Sequence, residues 1–399
     1  MPTATTAAVI GALKESEAGE RRVALDPVAA ASLVKLGHAV LVESGAGDEA
    51  SFPDAAYVAS GATILSRANV IARADVVAVV RAPGSSLLSK LRSGQTIVGL
   101  LDPLNNLATV KDLSARRVTM VAFELLPRTL SRAQSMDALS SQASAAGYRA
   151  AIVAAEAFGR YLPMLITASG TATPAKVIVI GTGVAGLQAI ATTRRLGAVV
   201  TGYDVRAASR HEVESLGATF LTSTIAQAEG NGGYAKALTT EEQAEQQSEL
   251  AAALKSFDVI ITTAKVPGRT PPMLVTKQTL DALRPGSVCI DLGSSERGGN
   301  VDGSVVGTKT LTPGGVTIIG AGELASDLPT SASQMYGRNV VAVIASLLPS
   351  GVFALDPSDE VHRNIVVCTD GEVVNLAIRA ALGLATTQAQ SNGGKVLAS

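Results

Sequence analysis

Apolar and polar positions alternate in blocks along this chain. Short apolar runs fall at 7–13, 39–43, 75–80, 96–100 and 118–123, and helical spacing fills intervals between them, as at 27–36 and 104–115. A second series of runs lies at 176–180, 199–203, 258–262, 287–291 and 316–319. Runs that are apolar throughout predict strands buried on both faces, and helices between them predict parallel, doubly wound sheets. Two long helical patterns, at 134–161 and 333–348, interrupt the series. They predict helices that carry the chain out of a first domain and back into it. The expected division is a discontinuous domain at 1–140 plus 345–399 and an inserted domain at 141–344. After Asp356, the step from Thr369 through Asp370 to Gly371 signals a hairpin, and a last helix completes the first domain.

Composition narrows the picture. Hydrophobic residues make up 47% of the 399 residues but aromatic residues only 3%, with no Trp, so both cores must be built from Val, Ile, Leu and Ala. A formal net charge of −1 gives no sign of a nucleic-acid or anionic-membrane partner. Cys289 and Cys368 each sit in an apolar run and read as buried strand residues rather than a disulfide. No cysteine–histidine cluster is present to hold zinc, and no metal is expected. The N-terminal stretch lacks the basic and apolar regions of a signal peptide. The most apolar window, 340–355, is broken by Pro349, Ser350 and Gly351 and falls short of the ~20 apolar residues that a membrane span needs. The chain is expected to be soluble.

The densest chemical signal runs from Lys176 to Asp204. An apolar run leads into Gly181-Thr-Gly183-Val184-Ala-Gly186, then a helical pattern, then a second apolar run ending in Asp204. Gly181 allows a tight turn off a strand, Gly183 lets a pyrophosphate approach the backbone, and Gly186 lets a helix pack close to the sheet. The helix that starts here would aim its N–H groups and positive dipole end at phosphate. Asp204 would accept both ribose hydroxyls and repel a 2′-phosphate, which favours NAD over NADP, although Arg206 nearby works against that discrimination. The fold class is therefore read as α/β with two doubly wound, Rossmann-like domains linked by long helices. Two looser matches, Gly45 to Ala50 and Gly320 to Ala325, lack the helix and the second acid-ended strand and read as strand-to-loop turns.

A polar, Gly-rich and then helical segment at 226–254 reads as a flap or loop, with a hinge at Gly232-Gly233 and a solvated helix at 241–254.

Several segments together resemble the NAD(H)-binding component of proton-translocating nicotinamide nucleotide transhydrogenase. They are RAQSMDALSSQ (132–142) with AGYRA after it, GTGVAGLQAIATTRRLGA (181–198), YDVRAA (203–208), ESLGA (214–218), GGYAK (232–236), ITTAKVPGRTPPMLVT (261–276), RPGSVCIDL (284–292) and SQMYGRNV (333–340). The opening KESEAGERRVALDP (14–27) resembles both that family and alanine dehydrogenase. The resemblance implies bound NAD(H), a homodimer, and hydride transfer to NADP held by a partner subunit, with proton coupling in a membrane subunit. No span follows in this sequence, so the split-subunit type is implied, cytoplasmic and peripheral to the inner membrane. Arg128, Gln134, Asp137 and Ser140 would line the nicotinamide site at a domain cleft. Gly181, Gly183, Val184 and Gly186 would hold pyrophosphate, Asp204 the adenosine ribose, with Val205, Arg206 and Ala264 alongside, and Tyr234 would tip a mobile loop.

Hydride transfer between two nicotinamides needs no general acid or base, only two rings held close and water excluded. Arg128 and Asp137 could pair, and Gln134, Asp137 and Ser140, three apart, would share one helix face. Without the resemblance the plainer reading is a helix N-terminal turn capped by Ser131.

Two other readings stay open. An amino- or imino-acid dehydrogenase of the alanine dehydrogenase type would need a Lys and a His in the first domain. This chain has Arg81 where the Lys is expected and no His near 99–104. A non-catalytic NAD-binding regulatory subunit is suggested by departures from the family pattern at 293–300, at Lys265 and at 320–328, where Ala325 and Asp327 stand in place of Pro and Arg.

Overall fold

The structure is a computed structural model and describes residues 8–206, 208–223, 239–265 and 270–385. By internal contacts the chain divides into two compact units, one formed by the chain up to Ala138 together with that from Tyr336 onward, the other by Leu139–Met335.

The first unit opens with strands β1 (Val9–Ala12), β2 (Ala39–Glu43), β3 (Thr63–Leu65), β4 (Val76–Arg81), β5 (Thr96–Leu100) and β6 (Thr119–Ala122). The second holds β7 (Leu165–Thr167), β8 (Gly170–Ala172), β9 (Lys176–Ile180), β10 (Val199–Tyr203), β11 (Thr219–Phe220), β12 (Val259–Thr262), β13 (Val288–Asp291), β14 (Lys309–Leu311) and β15 (Thr317–Gly320). The chain returns to the first unit as β16 (Val366–Thr369) and β17 (Glu372–Val373).

The first unit's sheet runs β17-β16-β6-β5-β4-β1-β2-β3, with β1 to β6 parallel and β16 antiparallel to β6. Both faces are covered. Along β4, Val76, Ala78 and Val80 enter one core while Val77 and Val79 enter the other, which is why the run has no polar alternation. Asp26 caps the helix Pro27–Lys35 by accepting from Ala29 N at 3.2 Å and Val28 N at 3.3 Å, with Pro27 preset in the first helical turn. The expected hairpin joins β16 to β17, and Asp370 (φ 51°) and Gly371 (φ 91°) supply its two left-handed positions.

The second unit's main sheet runs β11-β10-β9-β12-β13-β15-β14, parallel except for β14. Val177 and Val179 enter the core on one face of β9, Ile178 and Ile180 the core on the other. The strand order reverses between β9 and β12, so a crevice opens beyond their C-terminal ends, the usual ligand position in such sheets.

Three expectations need correction. The long helix runs Ala138–Ala157, not 134–161, and a separate 3-10 turn, Ser131–Met136, precedes it. Asp137 (φ −76°, ψ 82°) breaks the helix between them, so Gln134, Asp137 and Ser140 do not lie along one continuous helix face. Ser131 caps nothing there, since the residue at the N-cap position is Leu130. The helix Thr240–Leu254, in turn, is not fully solvated. It starts with a capping box between Thr239 and Glu242, and it buries Leu250 and Leu254 in the core against Tyr203 and Ile260. Gly232, Gly233 and Tyr234, expected as hinge and loop tip, lie outside the described residues.

Candidate functional site

In the second unit, β9 ends at Ile180, Gly181 turns with φ +90°, and the helix Val184–Arg195 begins behind Gly183. The three glycines serve different ends. A Cβ on Gly186 would stand 1.9 Å from the carbonyl oxygen of Gly181, so the first helical turn can press on the strand only without one. A Cβ on Gly181 would meet Thr263 Oγ1 at 2.6 Å, besides straining a positive φ. A Cβ on Gly183 would meet nothing within 4 Å, and its φ of −74° suits any residue. The fold makes no steric demand for glycine at 183. The early N–H groups of the helix, starting at Val184, lack intrahelical acceptors and carry the positive end of its dipole.

Asp204 follows β10, next to that turn. Its Oδ2 accepts from Thr182 N at 2.8 Å and Thr182 Oγ1 at 3.1 Å, and its Oδ1 accepts from Arg206 N at 2.9 Å. The Arg206 guanidinium grips both oxygens, Nε to Oδ1 at 3.1 Å and Nη2 to Oδ2 at 3.2 Å. Burial pushes the Asp204 carboxyl up, but Arg206 and the N–H groups of Thr182 and Arg206 outweigh it and hold the group below the usual carboxylate range. Asp204 is therefore an anion at neutral pH. Val205 between them is exposed.

Across the crevice, Thr263 and Ala264 follow β12. Thr263 N and Oγ1 donate to Ile180 O at 2.9 Å and Gly181 O at 2.8 Å, joining this segment to the glycine turn. Ala264 is tied to buried Asn300, and Asn300 to buried Asp291 at the end of β13. Thr182, Thr263, Asp291 and Asn300 are not among the residues that sequence reasoning singles out. One signal exists for Asp291: like Asp204, it is an acid closing an apolar strand run.

In the first unit, Arg128 Nε donates to Asp137 Oδ2 at 2.9 Å, the pairing anticipated from the residue types. Gln134 is exposed on the 3-10 turn. Asn339 Nδ2 holds that turn through Ser135 O at 2.8 Å, and Arg132 pairs with Asp359 at the N-cap of Glu360–Ile365. Ser140 belongs to the second unit, in the first turn of Ala138–Ala157. The two looser glycine matches are turns after β2 and β15, each followed by a short 3-10 helix, Asp48–Ala50 and Leu324–Asp327.

The departures at 265 and 323–327 are matched by partners. Lys265 Nζ lies 3.8 Å from Glu323 Oε1, and Arg149 Nε lies 3.5 Å from Asp327 Oδ2. Ala325 is buried beside Ala145 and Ala332. Both ion pairs are substantially exposed and contribute little to stability, about 0–1 kcal/mol each.

Among the described residues no helix is long and apolar enough to cross a membrane. The sequence pattern of "Alanine dehydrogenase/PNT, N-terminal domain" matches residues 11–146, and that of "Alanine dehydrogenase/PNT, C-terminal domain" matches residues 150–376. The chain is 42% identical to the first of the separate polypeptides of the NAD(P) transhydrogenase alpha subunit of Rickettsia prowazekii, over 93% of this chain and 97% of that one. It is 26% identical to the alanine dehydrogenase of Mycolicibacterium smegmatis, over 96% and 98% of the two chains. Its fold matches the crystal structure of transhydrogenase from Sinorhizobium meliloti with a TM-score of 0.82 and 41% identity, covering 92% of this chain and all (100%) of that one. The two doubly wound sheets, the glycine turn and this full-length similarity have one conclusion: the chain belongs to the alanine dehydrogenase/PNT family, and within it to the NAD(P) transhydrogenase alpha subunits.

Proposed function

We propose that this chain is the NAD(H)-binding component of a transhydrogenase, passing hydride between its own nicotinamide and NADP(H) held by a partner subunit. The observation that carries the reading is the pairing of Gly183 with Asp204. One is a glycine for which the fold has no steric need, at the start of a helix; the other is a carboxylate kept ionised at the end of the neighbouring strand. A pyrophosphate at the first and a ribose diol at the second account for both residues.

Bound NAD(H) supplies the hydride chemistry: NADH and NADP⁺ give NAD⁺ and NADPH, with the hydride moving from one ring carbon to the other and no proton exchanged. The protein's work is binding and orientation. Gly181, Gly183, Val184 and Gly186 receive the pyrophosphate, Asp204 the adenosine ribose, with Val205, Arg206 and Ala264 alongside. Gln134 and Ser140 hold the carboxamide and fix the face of the ring, and Arg128 and Asp137 hold each other in place for that task. The family resemblance supports the remaining elements: an NADP(H)-binding subunit, a membrane subunit that couples hydride transfer to proton movement, a homodimer of this chain, and a cytoplasmic position peripheral to the membrane.

The test is NADH-dependent reduction of an NADP analogue, with and without an NADP-binding transhydrogenase domain. Turnover that needs the added domain supports the proposal. NADH binding without turnover under either condition overturns it, and NADH oxidation by pyruvate and ammonia would replace it with the amino-acid dehydrogenase reading.

A further inference from the structure

We infer that Asn300 is a positioning residue for bound NAD(H), fixing the wall of the crevice that faces the glycine turn. The inference rests on the NAD(H) reading above and deepens it.

The argument starts from what the Ala264 backbone requires. Beyond the end of β12 it has no neighbouring strand to pair with, so its N–H and C=O need other partners. The Asn300 carboxamide supplies both: Ala264 N donates to Oδ1 at 3.1 Å, and Nδ2 donates to Ala264 O at 2.9 Å. Nδ2 also donates to Pro272 O at 2.8 Å. Only a carboxamide offers an acceptor and two donors in one plane, and the contacts fix which atom is which. Asn300 is fully buried, so none of these bonds competes with water.

Asn300 is itself held from behind. Asp291 Oδ2 accepts from Asn300 N at 2.9 Å and Val301 N at 3.2 Å, while Oδ1 accepts from Gly293 N at 2.8 Å and Thr262 Oγ1 at 3.0 Å. Two glycines leave room for this packing. A Cβ on Gly293 would stand 2.3 Å from Asn300 Oδ1, and one on Gly299 2.2 Å from Asp291 Oδ2. From Asp291 through Asn300 to Ala264, then through the adjacent Thr263 to Gly181 O, a continuous set of hydrogen bonds links β13 to the glycine turn.

The topology says which part of the cofactor feels this. Asp204 lies on the β10 side of β9, and Ala264 lies on the β12 side. An adenosine ribose on Asp204 leaves the remainder of the dinucleotide to extend toward Ala264. Asn300 therefore governs the half of NADH that 5′-AMP lacks.

The experiment measures dissociation constants of NADH and 5′-AMP for the full chain and for Asn300→Ala. NADH should bind about tenfold more weakly while 5′-AMP stays within about twofold. Unchanged NADH binding, or equal weakening of both ligands, overturns the inference, the latter because a merely structural lesion would not tell the two ligands apart. If Asn300→Ala does not fold, Thr263→Val removes the hydroxyl bond to Gly181 O at the other end of the same link. The same selective loss is expected there, and binding equal to the unaltered chain overturns the inference. If the unaltered chain binds neither ligand, the NAD(H) reading itself fails.

Discussion

Arg206 grips both carboxylate oxygens of Asp204, through Nε at 3.1 Å and Nη2 at 3.2 Å, while Thr182 N donates to one of the same oxygens at 2.8 Å. A ribose diol at Asp204 must share or displace these bonds. The carboxylate also occupies the guanidinium beside it, which would otherwise offer a 2′-phosphate a partner. Asp204→Ser should therefore do two things: weaken NADH about tenfold by losing the diol contact, and narrow the preference for NADH over NADPH by releasing Arg206. Titration of both nucleotides against the variant checks this. An unchanged NADH affinity would remove Asp204 from the ribose site.

The glycines at 183 and 186 separate folding from binding. A methyl group at 186 would be driven into the Gly181 carbonyl at 1.9 Å, so Gly186→Ala should lower both thermal stability and nucleotide binding. A methyl group at 183 meets nothing of the chain within 4 Å. Gly183→Ala should keep its Tm within about 2 °C of the unaltered protein yet bind NADH at least about tenfold more weakly. Thermal melts with and without NADH distinguish the two. Undiminished NADH binding by Gly183→Ala would mean that no pyrophosphate sits against that backbone.

The central strands were legible because burial on both faces writes them as unbroken apolar runs. β2, β5, β9 and β10 fall at the residues expected, and β4, β12 and β13 within a residue or so. The short strands β3, β7, β8, β11 and β14, of two or three residues, carry too few positions to show a period. The helix break at Asp137 left no trace in the spacing, since it depends on a tertiary contact with Arg128. The helix Thr240–Leu254 misled for a related reason: Leu250 and Leu254 are two buried residues in an otherwise polar stretch. In the candidate site, the glycines and Asp204 were legible from spacing alone. Asn300 was not, because its role lies in hydrogen bonds to a segment 36 residues away in sequence.

Gln134 offers a kinetic test of the nicotinamide assignment. It is exposed on the 3-10 turn Ser131–Met136, so its removal leaves no cavity. If its carboxamide fixes the face of the ring, Gln134→Ala should change the NADH dissociation constant by less than about threefold and lower turnover with the NADP-binding partner by about tenfold or more. Equal losses in binding and turnover would sink the orienting role and leave an ordinary binding contact.

Glu15 should give the first unit a pH dependence opposite to that of most carboxylates. Burial pushes its carboxyl up to about 7, although its oxygens accept from Val80 N at 2.7 Å and Arg81 N at 3.3 Å. In the unfolded chain the group titrates near ~4.3. Between those two values the folded state holds a proton that the unfolded state has released. By linkage, stability falls as pH rises through this window. The contribution of the neutral carboxyl is complete below the unfolded value and is lost as pH passes the folded one. Asp204 has the opposite sign: its lowered pKa stabilises above the unfolded value and is lost only in acid. Glu15→Gln removes the titration while keeping an acceptor for Val80 N. Its Tm should match that of the unaltered chain near pH 5 and exceed it near pH 8, with the difference opening between. Melts across that range decide the matter: a difference independent of pH would show that Glu15 is ionised in the folded protein throughout, with the two N–H groups offsetting the cost of its burial.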